Sequence, residues 1–201
     1  EMSASLVGSE MCIRDRLYLD IYDDSMWLIN LIENMLSVTR LEEGRMNLNI
    51  SVELVDDVIQ EALRHVDRKK DEHTITVEHE DELLLARMDS RLIVQMVINL
   101  VDNAIKYTNT GGITIKLCSY ELFACVEVTD TGIGIGEEEH AAVFGRFYRG
   151  NAVAEKSGVG IGLYLARSIM QQQGGYIRLS SVPGAGSTFG LYFPTAIVSK
   201  L

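Results

Sequence analysis

Glycine falls at every second position twice, in Asp130-Thr-Gly-Ile-Gly-Ile-Gly136 and in Gly158-Val-Gly-Ile-Gly-Leu163. Neither run suits the interior of a regular element, because each glycine costs a helix roughly 1 kcal/mol relative to alanine and leaves a strand without packing side chains. The chain must therefore turn sharply, and approach something closely, at two places. The first follows the strand-like Leu122-Phe-Ala-Cys-Val-Glu-Val-Thr129; the second leads into the helical pattern of Tyr164, Leu165, Ile169 and Met170. Around these fixed points the periodicity predicts helices over 54–69, 90–106 and 159–173. Strands are expected near 73–79, 83–88, 112–119, 122–129, 175–182 and 187–194. Because strands and helices do not alternate one for one, a doubly wound parallel sheet is disfavoured, and an α+β arrangement with helices on one face of a mixed sheet is expected.

Upstream, Leu17 to Glu43 contains no Pro or Gly, and Ile21, Leu28 and Met35 repeat every seven residues with Leu31 and Val38 between them. This is one long amphipathic helix, ended at Gly44, whose apolar stripe calls for a partner helix or a second chain. Met46 to Val52 alternates apolar and polar as an extended segment would. Residues 1–16 show no helical or strand period and read as a non-native or disordered leader, 17–46 as the helix, and 47–201 as the main domain.

Composition removes several classes. With 47% apolar residues, 23% charged and 2 Pro in 201 residues, the chain is a packing globular sequence. A formal charge of -11 repels polyphosphate backbones, so nucleic acid is not expected as a partner. Three cysteines, Cys12, Cys118 and Cys125, have no metal-ligand spacing and leave an odd thiol, which suits a reducing cytosol. No run approaches the roughly 20 apolar residues of a membrane helix, so no membrane contact is expected of this chain.

In the helix from Ser90 to Tyr107, the residues Ile93, Met96, Val97, Leu100, Val101 and Ala104 form an apolar stripe. Gln95, Asn99, Asn103 and Lys106 gather on another face, roughly 140° away at about 100° per residue. Asparagine is a poor helix former, so two of them four residues apart suggest a ligand: an amide oxygen suits Mg²⁺ and Lys106 suits phosphate, though a plain solvated face has the same look. Asp130, an acceptor-only carboxylate at a strand end, suits an exocyclic amine such as that of adenine; the alternative is a hairpin turn. Backbone N–H groups at the start of the helix after Gly158 form an anion site, although a lone GxGxG is weak evidence and no P-loop sequence is present. Between the glycine runs, Phe144-Gly-Arg-Phe-Tyr-Arg149 reads as a mobile flap carrying cations. Gly184-Ala-Gly-Ser-Thr-Phe189 reads as a turn between the last two strands.

Taken in order, Asn99/Asn103/Lys106/Tyr107, DTGIG, FGRFYRG, GVGIGL and GAGSTF resemble the N, G1, F, G2 and G3 boxes of the sensor histidine kinase ATP-binding domain, over about Asn47 to Pro194. The preceding Leu36-Ser-Val-Thr-Arg-Leu-Glu-Glu-Gly44 looks like the second helix of that family's dimerization and phosphoacceptor hairpin. The wording of the helix and N box is most similar to the potassium-responsive Kdp sensor kinases. The resemblance implies a Bergerat-type (GHKL) α/β sandwich with ATP and Mg²⁺ as ligands. Asn103 would hold Mg²⁺, Asn99 and Lys106 would contact phosphate, and Tyr107 would border the adenine. Asp130 would accept from the adenine amine, with Gly132 and Gly134 shaping that pocket and Thr188 lining its side. Phe144 and Phe147 would belong to the nucleotide-covering flap, and Arg149 would reach the γ-phosphate. Gly158, Gly160, Gly162 and Leu163 would cradle the phosphates.

In related hydrolysing ATPases a glutamate one turn before the metal-binding Asn activates water; here that place is Asn99, which has no basicity, so transfer to a nucleophile other than water is implied. Asn99, Lys106 and Arg149 would be the catalytic groups. The family's phosphoacceptor histidine should precede Leu17 and is absent, while His65, His73, His79 and His140 lie downstream without its context and are expected at the surface. The implied partners are the phosphoacceptor hairpin of the parent kinase in a homodimer and the receiver domain of a response regulator. The fragment would be the cytosolic part of a membrane-anchored sensor, inactive without the histidine. A serine-directed kinase of the same fold, or a nucleotide-dependent binding module without turnover, are the alternative readings.

Overall fold

A computed structural model describes residues 17–66, 73–150 and 158–196, apart from 19, 20, 23, 24, 26, 27, 30 and 82. The expected leader over 1–16 lies outside the described residues. The chain divides into two compact units, Glu1–Arg45 and Met46–Leu201.

In the first unit every described residue from 17 to 42 is helical, without interruption over 31–42 (α1). Gly44 ends the helix as its sequence position predicts: at φ +64 it lets Arg45 N–H return 2.8 Å to the Arg40 carbonyl. The expected apolar stripe is present but lies mostly open, with Ile21, Leu28 and Met35 exposed, Leu31 half-buried and Val38 buried.

The second unit runs β1 (Ser51–Leu54), α2 (Val55–His65), β2 (Thr74–His79), β3 (Leu85–Met88), α3 (Ser90–Tyr107), β4 (Gly112–Tyr120), β5 (Phe123–Asp130), two single-turn 3-10 helices (Glu137–Glu139 and Ala142–Phe144), α4 (Gly162–Gln172), β6 (Tyr176–Val182) and β7 (Gly186–Pro194). The main sheet has the order β2-β4-β5-β7-β6, with β2 parallel to β4 and the other pairs antiparallel. The mixed sheet expected from the sequence is therefore present.

Register places Ile115, Val128 and Phe189 side by side, and likewise Leu117, Val126 and Leu191; all of them are buried. This face meets the apolar stripe of α3, whose six predicted members are buried together with Ile105. α4 adds Leu165, Ala166, Ile169 and Met170 to the same core. On the opposite face Tyr176 stacks on Tyr192 at 4.5 Å, with the Arg178 guanidinium 5.1 Å from the Tyr192 ring.

Three boundaries differ from expectation. The helix expected over 54–69 stops at His65, where Val66 turns extended, and 67–72 lies outside the described residues. A separate two-stranded sheet pairs β1 with β3, because Leu54 continues the extended segment before the helix begins at Val55. Helix α4 starts at Gly162, since Gly158 and Gly160 hold positive φ and cannot extend it backwards without strain.

Candidate functional site

Helix α3 is the common wall of the site. Its buried stripe anchors it on the sheet and leaves Asn99, Asn103, Lys106 and Tyr107 half-buried on its other side. Both glycine runs come against this wall. A Cβ on Gly132 would lie 2.4 Å from the Tyr107 carbonyl oxygen and 2.8 Å from Asp130 Oδ1, so only glycine lets the first loop pass the end of α3. Ile133 N–H donates to that same carbonyl at 3.2 Å.

The second run lies along the helix. A Cβ on Gly158 would stand 3.0 Å from Lys106 Nζ, and one on Gly162 would stand 3.8 Å from the Asn99 side chain. At Gly160 a Cβ would fall 2.4 Å from the Tyr148 carbonyl oxygen and 2.9 Å from the Phe147 carbonyl carbon. The loop is thus held between the amide face of α3 and the backbone of the FGRFYRG segment. Leu163, half-buried, stands in the first turn of α4. Among the described residues no side chain caps that helix start. Uncapped N–H groups and the helix dipole are of the kind that attracts an anion, and Asn99 adds a second, independent sign of a ligand: its Nδ2 is buried with no hydrogen-bond partner among the described residues. An orphaned buried donor costs about 1–3 kcal/mol, which an oxyanion would recover.

Asp130 ends β5 and is 7% exposed. Its Oδ1 accepts the Gly132 N–H at 2.8 Å and the Ser187 N–H at 3.3 Å. Burial pushes its carboxyl above the ordinary carboxylate range, and the two N–H bonds pull it back in part. Ser187 stands opposite Asp130 in register, and its hydroxyl lies 2.9 Å from Ser181 Oγ. Ser181 Oγ also accepts the Ile135 N–H and donates to the Gly186 carbonyl, both at 2.8 Å.

This pairing corrects one expectation. Thr188 does not line the Asp130 side: side chains alternate along a strand, so it points to the other face of the sheet, where its hydroxyl lies 3.0 Å from that of Thr129. The hydroxyl next to Asp130 belongs to Ser187, which sequence reasoning missed because GAGSTF offers two adjacent hydroxyls and only the register chooses between them. Gly134 lies away from α3: a Cβ there would meet the Val182 carbonyl oxygen at 2.1 Å, so this glycine seats the loop on the β6–β7 turn.

The two aromatics of FGRFYRG separate. Phe144 is half-buried, edge-on to Phe189 at 6.5 Å and under the Arg167 guanidinium at 5.7 Å, so it ties the segment to the core. Phe147 is exposed at φ +61, with Arg146 4.8 Å from its ring. Arg149 is exposed at the edge of 151–157, which lies outside the described residues. Among the histidines, His65 and His79 are exposed beside Glu61 and Asp56. His73 and His140 are half-buried instead, each with Nε2 on a backbone carbonyl, that of Thr108 at 2.8 Å and that of Ile135 at 3.2 Å. Both were expected at the surface; a ring N–H that closes a loop is drawn inward.

Among the described residues no group of three or more His, Cys, Asp or Glu could hold a metal ion, and no helix is long and apolar enough to cross a membrane. Asn103 contributes a half-buried amide, whose neutral oxygen is of a kind that suits a hard cation.

The sequence profile of the histidine kinase-, DNA gyrase B-, and HSP90-like ATPases matches residues 88–197. The sensor protein KdpD of Clostridium acetobutylicum is 35% identical over 184 residues, covering 90% of this chain and 20% of that protein. The chain spans a fifth to a quarter of the length of this relative and of several others. Among solved structures, the nucleotide-free catalytic domain of histidine kinase ThkA is 27% identical with a TM-score of 0.64, covering 74% of this chain and 96% of that one. Full-length ShkA in complex with AMPPNP, 23% identical, shares the fold at a TM-score of 0.74 over 84% of this chain and 36% of its own.

Proposed function

Because the chain belongs to the histidine kinase-, DNA gyrase B-, and HSP90-like ATPase family, we propose that it is the ATP-binding catalytic part of a two-component sensor histidine kinase, of the Kdp type. The observation that carries this reading is the convergence on α3: an orphaned buried amide at Asn99 facing the uncapped start of α4, and Lys106 facing Gly158. Polar groups prepared for an anion meet there, while Asp130 waits as a buried acceptor beyond Tyr107.

In this reading Asp130 accepts the adenine amine, with Ser187 and Gly132 holding its carboxylate in place. Tyr107 borders the base, and Asn99, Lys106 and the backbone N–H groups from Gly158 to Leu163 hold the phosphates. Phe147 and Arg149 cover the nucleotide from the FGRFYRG side. Asn103 would hold Mg²⁺, which when bound neutralises charge on the β- and γ-phosphates. Asn99 orients rather than deprotonates, so water is left unactivated and the γ-phosphoryl goes to a positioned nucleophile. That nucleophile is a histidine on the phosphoacceptor hairpin of the parent homodimer, from which a response-regulator aspartate takes the phosphoryl group. The exposed stripe of α1 supports the hairpin assignment, and the parent is a membrane-anchored sensor with this part in the cytosol.

Calorimetric titration of the chain with a non-hydrolysable ATP analogue, with and without Mg²⁺, tests the reading. Metal-dependent binding is expected; a folded chain that binds nothing overturns it. Added phosphoacceptor hairpin should then become labelled from γ-³²P-ATP, with acid-labile phosphohistidine as the product.

A further inference from the structure

Asp89 precedes α3 in the N-cap position, yet its side chain makes no cap hydrogen bond. An aspartate there ordinarily accepts an N–H of the helix's own first turn. Here the residue is 1% exposed and Oδ2 instead accepts the backbone N–H of Asn49 at 2.9 Å, from the segment that leads out of α1 into the catalytic unit. Arg91 Nη2 stands 3.4 Å from the same oxygen. The backbone N–H of Asp89 donates to Gln173 Oε1 at 2.6 Å. Gln173 is the C-cap of α4 and 8% exposed, and its Nε2 is buried without a partner among the described residues. A glutamine buried at the expense of its own N–H groups is there for what its oxygen holds.

Helices α3 and α4 therefore meet at two places, through a hydrogen bond at one and by close approach at the other. Asp89 and Gln173 join the start of α3 to the end of α4, and Asn99 against Gly162 brings the middle of α3 to the start of α4, so the two helices run antiparallel. About 15 Å of rigid helix separates Asp89 from Asn99, at 1.5 Å per residue. We propose that Asp89 and Gln173 are positioning residues that couple segment 47–50 to nucleotide occupancy: they fix the incoming chain to the same helix pair whose far end holds the phosphates. This rests on the nucleotide reading above. Coupling of this kind is reciprocal, so whatever the bound nucleotide does to Asn49, a displacement of that segment does to the nucleotide.

Amide hydrogen exchange at Asn49, measured in the full chain with and without a saturating non-hydrolysable ATP analogue and Mg²⁺, tests the coupling. Nucleotide should slow exchange at Asn49 by about fivefold, a typical allosteric coupling. Asp89→Ala should speed exchange in the free protein about tenfold, the loss of one charge-assisted hydrogen bond, and make it indifferent to nucleotide. Asp89→Asn keeps an acceptor for Asn49 and should restore both behaviours, a rescue that a requirement for the negative charge would not produce; Asp89→Leu, which keeps bulk without an acceptor, should behave as Asp89→Ala. If Asp89→Ala fails to fold, Gln173→Leu serves: Asn49 should keep its basal protection and lose its response to nucleotide. A wild-type chain that binds the analogue while Asn49 exchanges at an unchanged rate overturns the coupling and leaves the nucleotide reading standing. Absence of analogue binding overturns both.

Discussion

Helices α1 and α3 carry the same kind of apolar stripe and meet opposite fates. In α3 all six stripe residues are buried; in α1 Ile21, Leu28 and Met35 remain 49–61% exposed. Periodicity states that one side of a helix must be covered, and says nothing of what covers it. For α3 the cover is a sheet built from the same chain. For α1 the described residues leave Ile21, Leu28 and Met35 open, so the same pattern is covered in one helix and largely uncovered in the other.

The sharpest way to break this comparison is to truncate both stripes. Leu100→Ala should cost about 2–5 kcal/mol, because a fully buried leucine loses transfer energy and leaves a cavity; chemical denaturation would measure it. Leu28→Ala should leave the unfolding of residues 46–201 within about 0.5 kcal/mol of the parent, as for exposed positions generally. Equal costs at the two positions would mean that α1 is packed in solution.

The other side of α3 sharpens the contrast, since its polar residues should serve binding and not stability. Asn103→Ala should reduce Mg²⁺-dependent nucleotide affinity by about 100-fold, losing a hydrogen-bonding or ligating group at a charged site, with thermal stability unchanged. Unchanged affinity would remove Asn103 from the site. Asn99→Leu is the more informative exchange: it deletes a buried donor that has no partner among the described residues, so the free protein should gain about 1 kcal/mol while nucleotide binding weakens. A variant that loses both would show that Asn99 is structural.

The smallest effect concerns pH. Burial raises the Asp130 carboxyl in the folded state above its ordinary value of 3.8. Between those two values the native state binds more protons than the unfolded one, so stability must fall as pH rises through that window. Asp130→Asn removes the titration and should flatten the difference, while weakening nucleotide binding. Urea midpoints for both proteins across the acid range would check it.

The order of elements was legible because hydrophobic period and glycine spacing are local properties. Residues 74–79, 85–88, 90–107, 112–120, 123–130 and 176–194 came out within a few residues of expectation, and α3 was readable face by face. Less legible was anything that depends on pairing. The β1–β3 sheet joins two four-residue strands far apart in sequence, and alternation marks each as extended without saying which strand pairs with which. At the site, Asn99 and Lys106 could be assigned to one face from their spacing alone. Ser187 could not be separated from Thr188 until β7 was laid against β5, since a shift of one residue exchanges the two faces of a strand.

By itself, then, the sequence determined which elements form, which side of each is apolar, and which glycines must lie at close approaches, because these follow from side-chain volume and backbone freedom within a few residues. Tertiary structure alone decided which orphaned donor meets which loop, that Asp89 gives its carboxylate to Asn49 rather than to its own helix, and which hydroxyl stands beside Asp130. The last two of those choices join residues 40 and 57 positions apart. Only a closed sheet register and a packed helix pair bring such residues within hydrogen-bonding distance.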